Sequence, residues 1–203
     1  MAAKNYFKKL EAIDFGYTVA KENLAFFAGL LVVLIFIYSI PNILESVFSK
    51  QAVPSIIISI LFFILNLIIS MGLIKISLKF VDKEKAGLSN LFYTKSILPF
   101  FLTTLLSGVI TLIGFILLIV PGIIIGTRLQ FAPYLVIDKG LGPIEALKKS
   151  WKMTEGVTWN LILLGLLSVW VNIAGILVFV IGLVITVPAT TIAKAYVYRK
   201  LSS

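Results

Sequence analysis

One arginine lies inside a long apolar stretch of this sequence, where its charge needs a chemical explanation. The stretch runs from Ile119 to Gly140, and Arg128 is near its centre. A guanidinium in a membrane is costly without polar partners, so intramembrane charges are candidates for function. Either Arg128 binds an anion such as a lipid phosphate, or it ties helices together through carbonyl groups. The neutral partners that we expect are Asn66, Ser107, Thr127, Gln130 or carbonyl groups at helix ends.

Other polar residues could contact an anion near the same membrane boundary. Three lysines lie on a short amphipathic stretch before the last apolar region. Basic residues at the surface of an anionic membrane contribute about 1 kcal/mol each to binding. The predicted contacts with lipid or another anion are Arg128, Gln130, Asn66, Lys148, Lys149 and Lys152.

Catalytic chemistry is poorly supported by the residue types in the chain. There is no His and no Cys, which excludes thiolate nucleophiles, histidine proton relays and Cys/His zinc sites. No H-E-x-x-H or G-x-S-x-G motif occurs. We therefore expect no catalytic residue, no metal and no cofactor, and a protein that is not an enzyme.

The composition is that of an integral membrane protein. Hydrophobic residues make up 60% of the chain and charged residues 13%, whereas soluble domains are about half apolar and about a quarter charged. The net charge of +9 is better explained by basic cytoplasmic loops than by nucleic acid, which we do not expect as a partner. Residues 1–23 have mixed charge, so we expect no cleaved signal peptide.

Four apolar regions predict the membrane-crossing segments, because a span needs about 20 apolar residues. Two regions suit one helix each: Leu24–Ile40, ended by Pro41, and Pro54–Leu78. The regions 97–137 and 157–198 are long enough for a hairpin of two helices each. Gly and Pro favour turns. The candidate turns are Gly114 or Pro121–Gly122 in the region 97–137 and Asn172–Gly175 in the region 157–198.

The distribution of positive charge selects six crossings. With two hairpins in the long regions, both termini and the loops 79–96 and 138–156 share one side. Lys and Arg concentrate on the cytoplasmic side of membrane proteins. That side then holds Lys4, Lys8, Lys9, Lys21, Lys79, Lys83, Lys85, Lys95, Lys139, Lys148, Lys149, Lys152, Arg199 and Lys200, and the opposite side holds Lys50. We therefore predict a multi-pass protein of the cell membrane with both termini in the cytoplasm.

The predicted fold is all-α: a polytopic membrane bundle of six transmembrane helices in three hairpins, each preceded by a short interfacial amphipathic helix. Its single transmembrane domain, 1–203, comprises a cytoplasmic amphipathic segment (1–23), hairpin one (24–78), a cytoplasmic loop (79–96), hairpin two (97–137), a cytoplasmic elbow (138–156) and hairpin three (157–198). The apolar faces before the three hairpins are Tyr6, Leu10, Ile13 and Tyr17; Leu88, Leu91 and Phe92; and Ile144, Leu147 and Trp151. Such stretches lie in the interface or bind a partner protein.

Two apolar strings in the second half of the chain are similar to each other. IGFILLIVPGIIIGTR and IGLVITVPATTIAK each place a cation, Arg128 or Lys194, after a proline. An internal repeat and a chance similarity of apolar segments are both open explanations. If Gly114 forms the turn, Pro121 kinks the fourth helix and Pro188 the sixth.

Residues 114–156 also resemble a known family. The resemblance depends on Pro121, Gly122, Phe131, Ala132, Pro133, Asp138, Glu145, Ala146, Leu147, Ser150, Trp151, Thr154 and Gly156, with Tyr198 near the end. This pattern is similar to that of small prokaryotic membrane proteins, which include the YciC-like proteins and the membrane domain of some glycerophosphodiester phosphodiesterases. The resemblance covers about half of the chain. It implies a six-helix membrane domain of mostly uncharacterised members, without catalytic residues to transfer.

Several of these residues have predicted architectural roles. Asp138 could cap the elbow or pair with Lys148 or Lys149, and Ser150 could bond back into its own helix. Pro143 and Glu145 favour a helix start and Gly156 a helix stop. The predicted structural residues are Pro121, Gly122, Pro133, Asp138, Glu145, Ser150, Gly156 and Pro188.

Two functions follow as expectations. The first is a non-enzymatic membrane protein that binds or organises lipid, anionic phospholipid in particular, or a partner membrane protein. The alternative is a permease or flippase for a small or amphiphilic solute. Its polar path would be lined by Asn66, Thr103, Thr104, Ser107 and Thr111.

Overall fold

The computed structural model describes residues 7–48, 52–177 and 182–202. Every regular element in these residues is helical. In chain order they are α1 (Lys9–Glu22), α2 (Leu24–Phe48), α3 (Ala52–Val81), a short 3₁₀ helix (Leu88–Phe92), α4 (Ile97–Leu117), α5 (Ile119–Leu129), α6 (Ala132–Lys139), α7 (Pro143–Met153), α8 (Thr158–Leu177) and α9 (Leu183–Ser202). The predicted all-α class is confirmed.

Among the described residues, five segments are long and apolar enough to cross a membrane. They are Leu24–Pro41, Ile56–Val81, Ile97–Leu117, Ile119–Lys139 and Thr158–Leu177. Their outward surfaces expose large apolar side chains such as Phe36, Ile116 and Leu177, which is the surface that lipid would cover. The chain therefore has the helices of a membrane protein.

The helix α9 lies at the centre of the packing and carries the largest buried side chain, Tyr198. The amphipathic helix α1 packs along α9. At Gly16 the two backbones touch, because a β-carbon there would collide with the carbonyl group of Ala189. Thus α1 turns its small residues inward, and the predicted apolar residues Leu10 and Tyr17 are exposed. Of that predicted face, Tyr6 lies outside the described residues.

The second amphipathic stretch is a single 3₁₀ turn that packs on α3. Leu91 is fully buried there, and its backbone lies directly against Gly72. Leu88 and Phe92 of the predicted apolar face remain exposed. As in α1, part of the predicted apolar face is therefore exposed at the surface of the protein.

The turn of hairpin two is a single residue, Leu118, in extended conformation with φ −166° and ψ 152°. It lies between the two predicted turn positions. Gly114 and Gly122 face each other across it, since a β-carbon on Gly114 would lie 3.1 Å from the α-carbon of Gly122. Pro121 is in the first turn of α5, where its missing N–H is harmless. The predicted kink at Pro121 is therefore wrong, and the chain breaks instead at residues 130–131, before Pro133.

Two other predicted helix ends are wrong. Pro41 lies inside α2, which continues to Phe48; proline is tolerated inside membrane helices because neighbouring groups satisfy the freed carbonyl. The residues 172–175 are part of α8. Gly175, near the end of α8, and Gly182, directly before α9, pack against each other. Pro188 lies inside α9, as expected.

The similar strings of hairpins two and three do not occupy equivalent positions. Gly114 lies in α4, before the turn at Leu118, whereas Gly182 lies directly before α9. The glycine contact across the end of hairpin two, Gly114 with Gly122, instead corresponds to Gly175 with Gly182. This difference favours a chance similarity of the two strings, one of the two explanations that the sequence left open.

The elbow helix α7 begins as predicted, with Pro143 and Glu145 in its first turn. It ends at Met153, before the predicted stop at Gly156. Gly156 has φ of +81°, a conformation that suits glycine and lets the chain turn into α8. The helix packs against α4, α5 and α6, which brings it beside Arg128.

Candidate functional site

Arg128 lies in the last turn of α5, and its side chain contacts the elbow and the start of α8. Its Nε donates a hydrogen bond to Oγ1 of Thr158 at 3.2 Å. Its guanidinium carbon lies 4.7 Å from the ring centroid of Trp151, a cation–π distance. None of the ion pairs formed by described residues includes Arg128. The partners of the Arg128 guanidinium are therefore a hydroxyl group and the face of an aromatic ring.

The backbone of Arg128 is held by the elbow helix. Ser150 is fully buried, and its hydroxyl donates to the Arg128 carbonyl oxygen at 2.7 Å. The last carbonyl groups of a helix have no partner within it, and α5 ends at Leu129. The predicted bond of Ser150 back into its own helix is therefore wrong. Thr154 makes such a bond, to the Ser150 carbonyl at 2.8 Å.

The guanidinium borders a cleft of about 210 Å³ that opens to the surface. Its walls are formed by Ile124, Gly156, Thr158 and Trp159, with Arg128 itself half-buried. A guanidinium has five N–H donors, and the hydrogen bond to Thr158 uses one of them. Arginine can bind a phosphate or carboxylate through two parallel hydrogen bonds. The arrangement is therefore suited to an anion that enters the cleft.

The other predicted contacts fall in different places. Lys148, Lys149 and Lys152 lie on the exposed side of α7, the helix that also carries Trp151. Asn66 donates to the carbonyl of Phe62 in its own helix, so it is not a partner of Arg128. Gln130 lies at the break after α5 and borders two other clefts.

Sequence reasoning missed the two groups that do contact the guanidinium. Trp151 was predicted to lie on the apolar face of the elbow. Thr158, the first residue of α8, was not predicted to be a contact. Thr158 lies 30 positions from Arg128 in the chain, so spacing gives no signal of the contact. The sequence did contain one signal: Trp151 and Thr158 lie on either side of Gly156, a glycine that favours a turn.

Asp138 belongs to a separate cluster at the ends of three helices. It accepts hydrogen bonds from the Tyr198 hydroxyl and from Nη1 of Arg199, both at 2.7 Å. Arg199 also binds both carboxylate oxygens of Asp82, at 2.9 and 2.6 Å. The predicted pairing of Asp138 with Lys148 or Lys149 is therefore wrong. Two residues near the end of α9, Tyr198 and Arg199, bind Asp138 instead, and both lysines are exposed.

A second polar contact joins α1 to α9. Glu11 accepts hydrogen bonds from the Tyr196 hydroxyl at 2.6 Å and from Nζ of Lys200 at 2.7 Å. The bond from Lys200, and then that from Tyr196, lowers the pKa of Glu11 below its ordinary value of 4.5. This contact holds α1 to the outside of the bundle.

The described residues contain no group of three or more acidic side chains placed to hold a metal ion. The described residues thus form an all-helical fold with helices long and apolar enough to cross a membrane, and the Arg128 cleft offers N–H donors that suit an anion.

Residues 105–203 match the family described as "Protein of unknown function (DUF975)". The chain is similar to Uncharacterized protein Rv2560 of Mycobacterium tuberculosis and Uncharacterized protein Mb2590 of Mycobacterium bovis. Each is 28% identical over 140 residues, which is 69% of this chain and 43% of the relative. The match therefore spans less than half of the length of these relatives. No solved structure matches the chain.

These similarities agree with the expected resemblance to an uncharacterised family, although they do not support the YciC-like name. The family match begins within α4 and covers α5 to α9. It therefore includes Arg128, Trp151 and Thr158, and also the cluster of Asp138 and Arg199.

Proposed function

We propose that this chain is a non-enzymatic protein of the cell membrane that binds the phosphate group of an anionic lipid in the Arg128 cleft. It crosses the membrane six times, as three hairpins, with both termini in the cytoplasm. The sixth span is α9, whose basic end carries Arg199 and Lys200. Its polar residues are tolerated because α1, α2, α3 and α8 surround it.

The observation that carries the proposal is the incomplete pairing of Arg128. A guanidinium that served only to join helices would direct its donors to carbonyl or carboxylate groups. Arg128 instead makes one hydrogen bond, to Thr158, and borders an open cleft. A lipid phosphate would supply the missing acceptors.

The surroundings of the cleft support a position at the level of lipid headgroups. Trp159 is 69% exposed and forms one wall, and tryptophan is enriched at the membrane interface. Ile144 on α7 is exposed and apolar, whereas Lys148 and Lys149 are exposed and charged. An interfacial helix with these residues would place its lysines near anionic headgroups and its apolar residues among acyl chains.

The test is lipid retention by purified protein that carries Arg128→Leu. Hydrogen bonds to charged groups contribute about 1.5–3 kcal/mol, so retention of phosphatidylglycerol should fall by about tenfold or more. Native mass spectrometry after delipidation and titration with phosphatidylglycerol measures it. The matched control is Lys95→Leu, which removes an exposed cation from the same predicted side and should retain lipid like the wild type.

Two further outcomes make the test sharper. Arg128→Lys keeps the charge but loses the planar fork, so it should retain an intermediate amount of lipid. Equal lipid retention in wild type and Arg128→Leu would refute the proposal.

The permease alternative is less well supported. The hydroxyls of Thr103, Thr104 and Ser107 each donate to a carbonyl in their own helix, at 2.6–2.9 Å. Thr104, Ser107 and Thr111 border a groove between α4 and α5 that is largely open at the protein surface. Serine and threonine in such positions commonly serve helix packing, so the residues named for a polar path do not favour transport.

A further inference from the structure

A second cation, Lys194, lies in a cleft that is separate from that of Arg128. The cleft has a volume of about 370 Å³ and is bordered by the break between α5 and α6, by α8 and by α9. Lys194 is half-buried, and its side chain lines this cleft. Its Nζ lies 6.0 Å from the ring centroid of Tyr134, which also lines the cleft.

The charge of Lys194 has no acidic partner in the part of the chain that the structure describes. Of the described helices that border the cleft, only α6 carries an acidic residue, Asp138, and it is bound by Tyr198 and Arg199. On α1, Glu11 is bound by Tyr196 and Lys200. A half-buried cation between apolar helices is costly without compensation, so an external anion in the cleft would lower the energy of the site.

The cleft is also polar where α8 and α9 face each other. Ser168 and Thr190 line it beside Lys194, and Gln130 reaches it from the helix break. One turn further along, Nδ2 of Asn172 donates to Thr190 at 3.3 Å, but its Oδ1 is buried without a hydrogen-bond partner. Buried polar atoms are normally satisfied. An amide oxygen only accepts hydrogen bonds, so this atom needs a donor, such as a water molecule or a protonated oxygen of a phosphate group.

We propose that the Lys194 cleft is an anion-binding site that accepts a phosphate-type oxyanion, from a lipid headgroup or from free phosphate. Lys194 supplies the charge, and the Gln130 amide can donate a hydrogen bond. The site faces α9, whereas the Arg128 cleft is bordered by the glycine turn at Gly156. The inference therefore does not depend on lipid binding at Arg128.

The charge is tested with Lys194→Met. The matched control is Lys75→Met, because Nζ of Lys75 also lies near a tyrosine ring, at 5.8 Å from the centroid of Tyr93, but outside the cleft. Isothermal titration calorimetry uses two probes, dioctanoyl phosphatidylglycerol and inorganic phosphate. Binding of at least one probe should weaken by about tenfold in Lys194→Met and stay unchanged in Lys75→Met.

The choice of probe identifies the source of the anion. Weaker binding of the lipid alone assigns the site to a headgroup, and weaker binding of inorganic phosphate assigns it to a free anion. Unchanged binding of both probes in Lys194→Met overturns the inference. Arg128→Leu is measured beside it. Loss of lipid in Arg128→Leu, with the binding of both probes unchanged in Lys194→Met, supports the Arg128 proposal and contradicts this one.

A steric variant keeps the test valid if Lys194→Met does not fold. Gly165 borders the cleft, and a β-carbon there would meet no atom within 4 Å. Gly165→Leu should therefore fill the cleft and reduce binding while Lys194 is intact. Gly29→Leu is its control, since Gly29 also has no atom within 4 Å of a β-carbon but is not part of the cleft. Equal binding in Gly165→Leu and Gly29→Leu would contradict the proposal.

Discussion

Two arginines at the ends of helices are paired in opposite ways. Arg199 directs three of its nitrogen atoms to two carboxylates, those of Asp82 and Asp138. Arg128 has a threonine hydroxyl and a tryptophan ring. Arg199 thus joins the ends of α3, α6 and α9, whereas most N–H donors of Arg128 have no hydrogen-bond partner among the described residues. An arginine can therefore be judged structural or functional from how completely its donors are used.

The largest expected effect comes from Arg199→Leu. Breaking a buried ion pair costs about 3–5 kcal/mol, and partial exposure of this one reduces the expected loss of unfolding free energy to about 2–3 kcal/mol. Asp138 is only 12% exposed and would lose its cation. Unfolding in detergent, followed by circular dichroism, measures the loss.

Arg128→Leu is the natural comparison for that measurement. Since Arg128 has no carboxylate partner among the described residues, its replacement should cost less than about 1 kcal/mol of stability. If the two leucine variants lose the same stability, Arg128 is a structural arginine and the contrast between the two sites fails.

A medium effect is expected from Ser150→Ala. The Arg128 carbonyl would lose its 2.7 Å hydrogen bond and keep only Thr154 at 3.4 Å, which should cost about 1–2 kcal/mol. Ser168→Ala is the control, because that hydroxyl only donates within its own helix. A loss in Ser150→Ala no greater than in Ser168→Ala would show that the elbow does not hold the end of α5.

The smallest effect concerns Glu11, an exposed carboxylate on α1. Its pKa is lowered, chiefly by the hydrogen bond from Lys200, so its contribution to stability is present above its ordinary pKa of 4.5 and is lost as pH falls through the lowered value. Amide-exchange protection factors of α1 should therefore decrease as the pH falls below 4.5. Glu11→Gln should remove this acid dependence, and an unchanged dependence in that variant would assign it to another carboxylate.

The sequence predicted the helices well because hydropathy alone specifies them. The lengths of the apolar regions indicated α2, α3 and α4, and Pro143 with Glu145 indicated the start of α7. The turns were less predictable. Leu118 has no turn-forming chemistry of its own, and it turns because Gly114 and Gly122 allow two backbones to touch. Such packing depends on tertiary contacts that local propensity does not contain.

Of the candidate site, the sequence identified one residue, Arg128, but not its partners. Arg128 was evident because a charge in an apolar stretch is unusual. Its partners were not, since they come from an elbow helix whose orientation is set by Ser150 and by buried residues such as Leu147. Lys194 could have been identified by the same criterion as Arg128. It was noted only as part of a repeat, because the threonines beside it made its segment less apolar.

The tip of hairpin two has a consequence for how the protein fits its membrane. Residues 116–120 around Leu118 are all apolar and strongly exposed, so no polar group anchors that end in water. Hydrophobic helices adapt to bilayer thickness by tilting or by deforming the lipid. Because the tip is apolar, we expect this hairpin to tolerate both thin and thick bilayers without moving a polar group into the hydrocarbon.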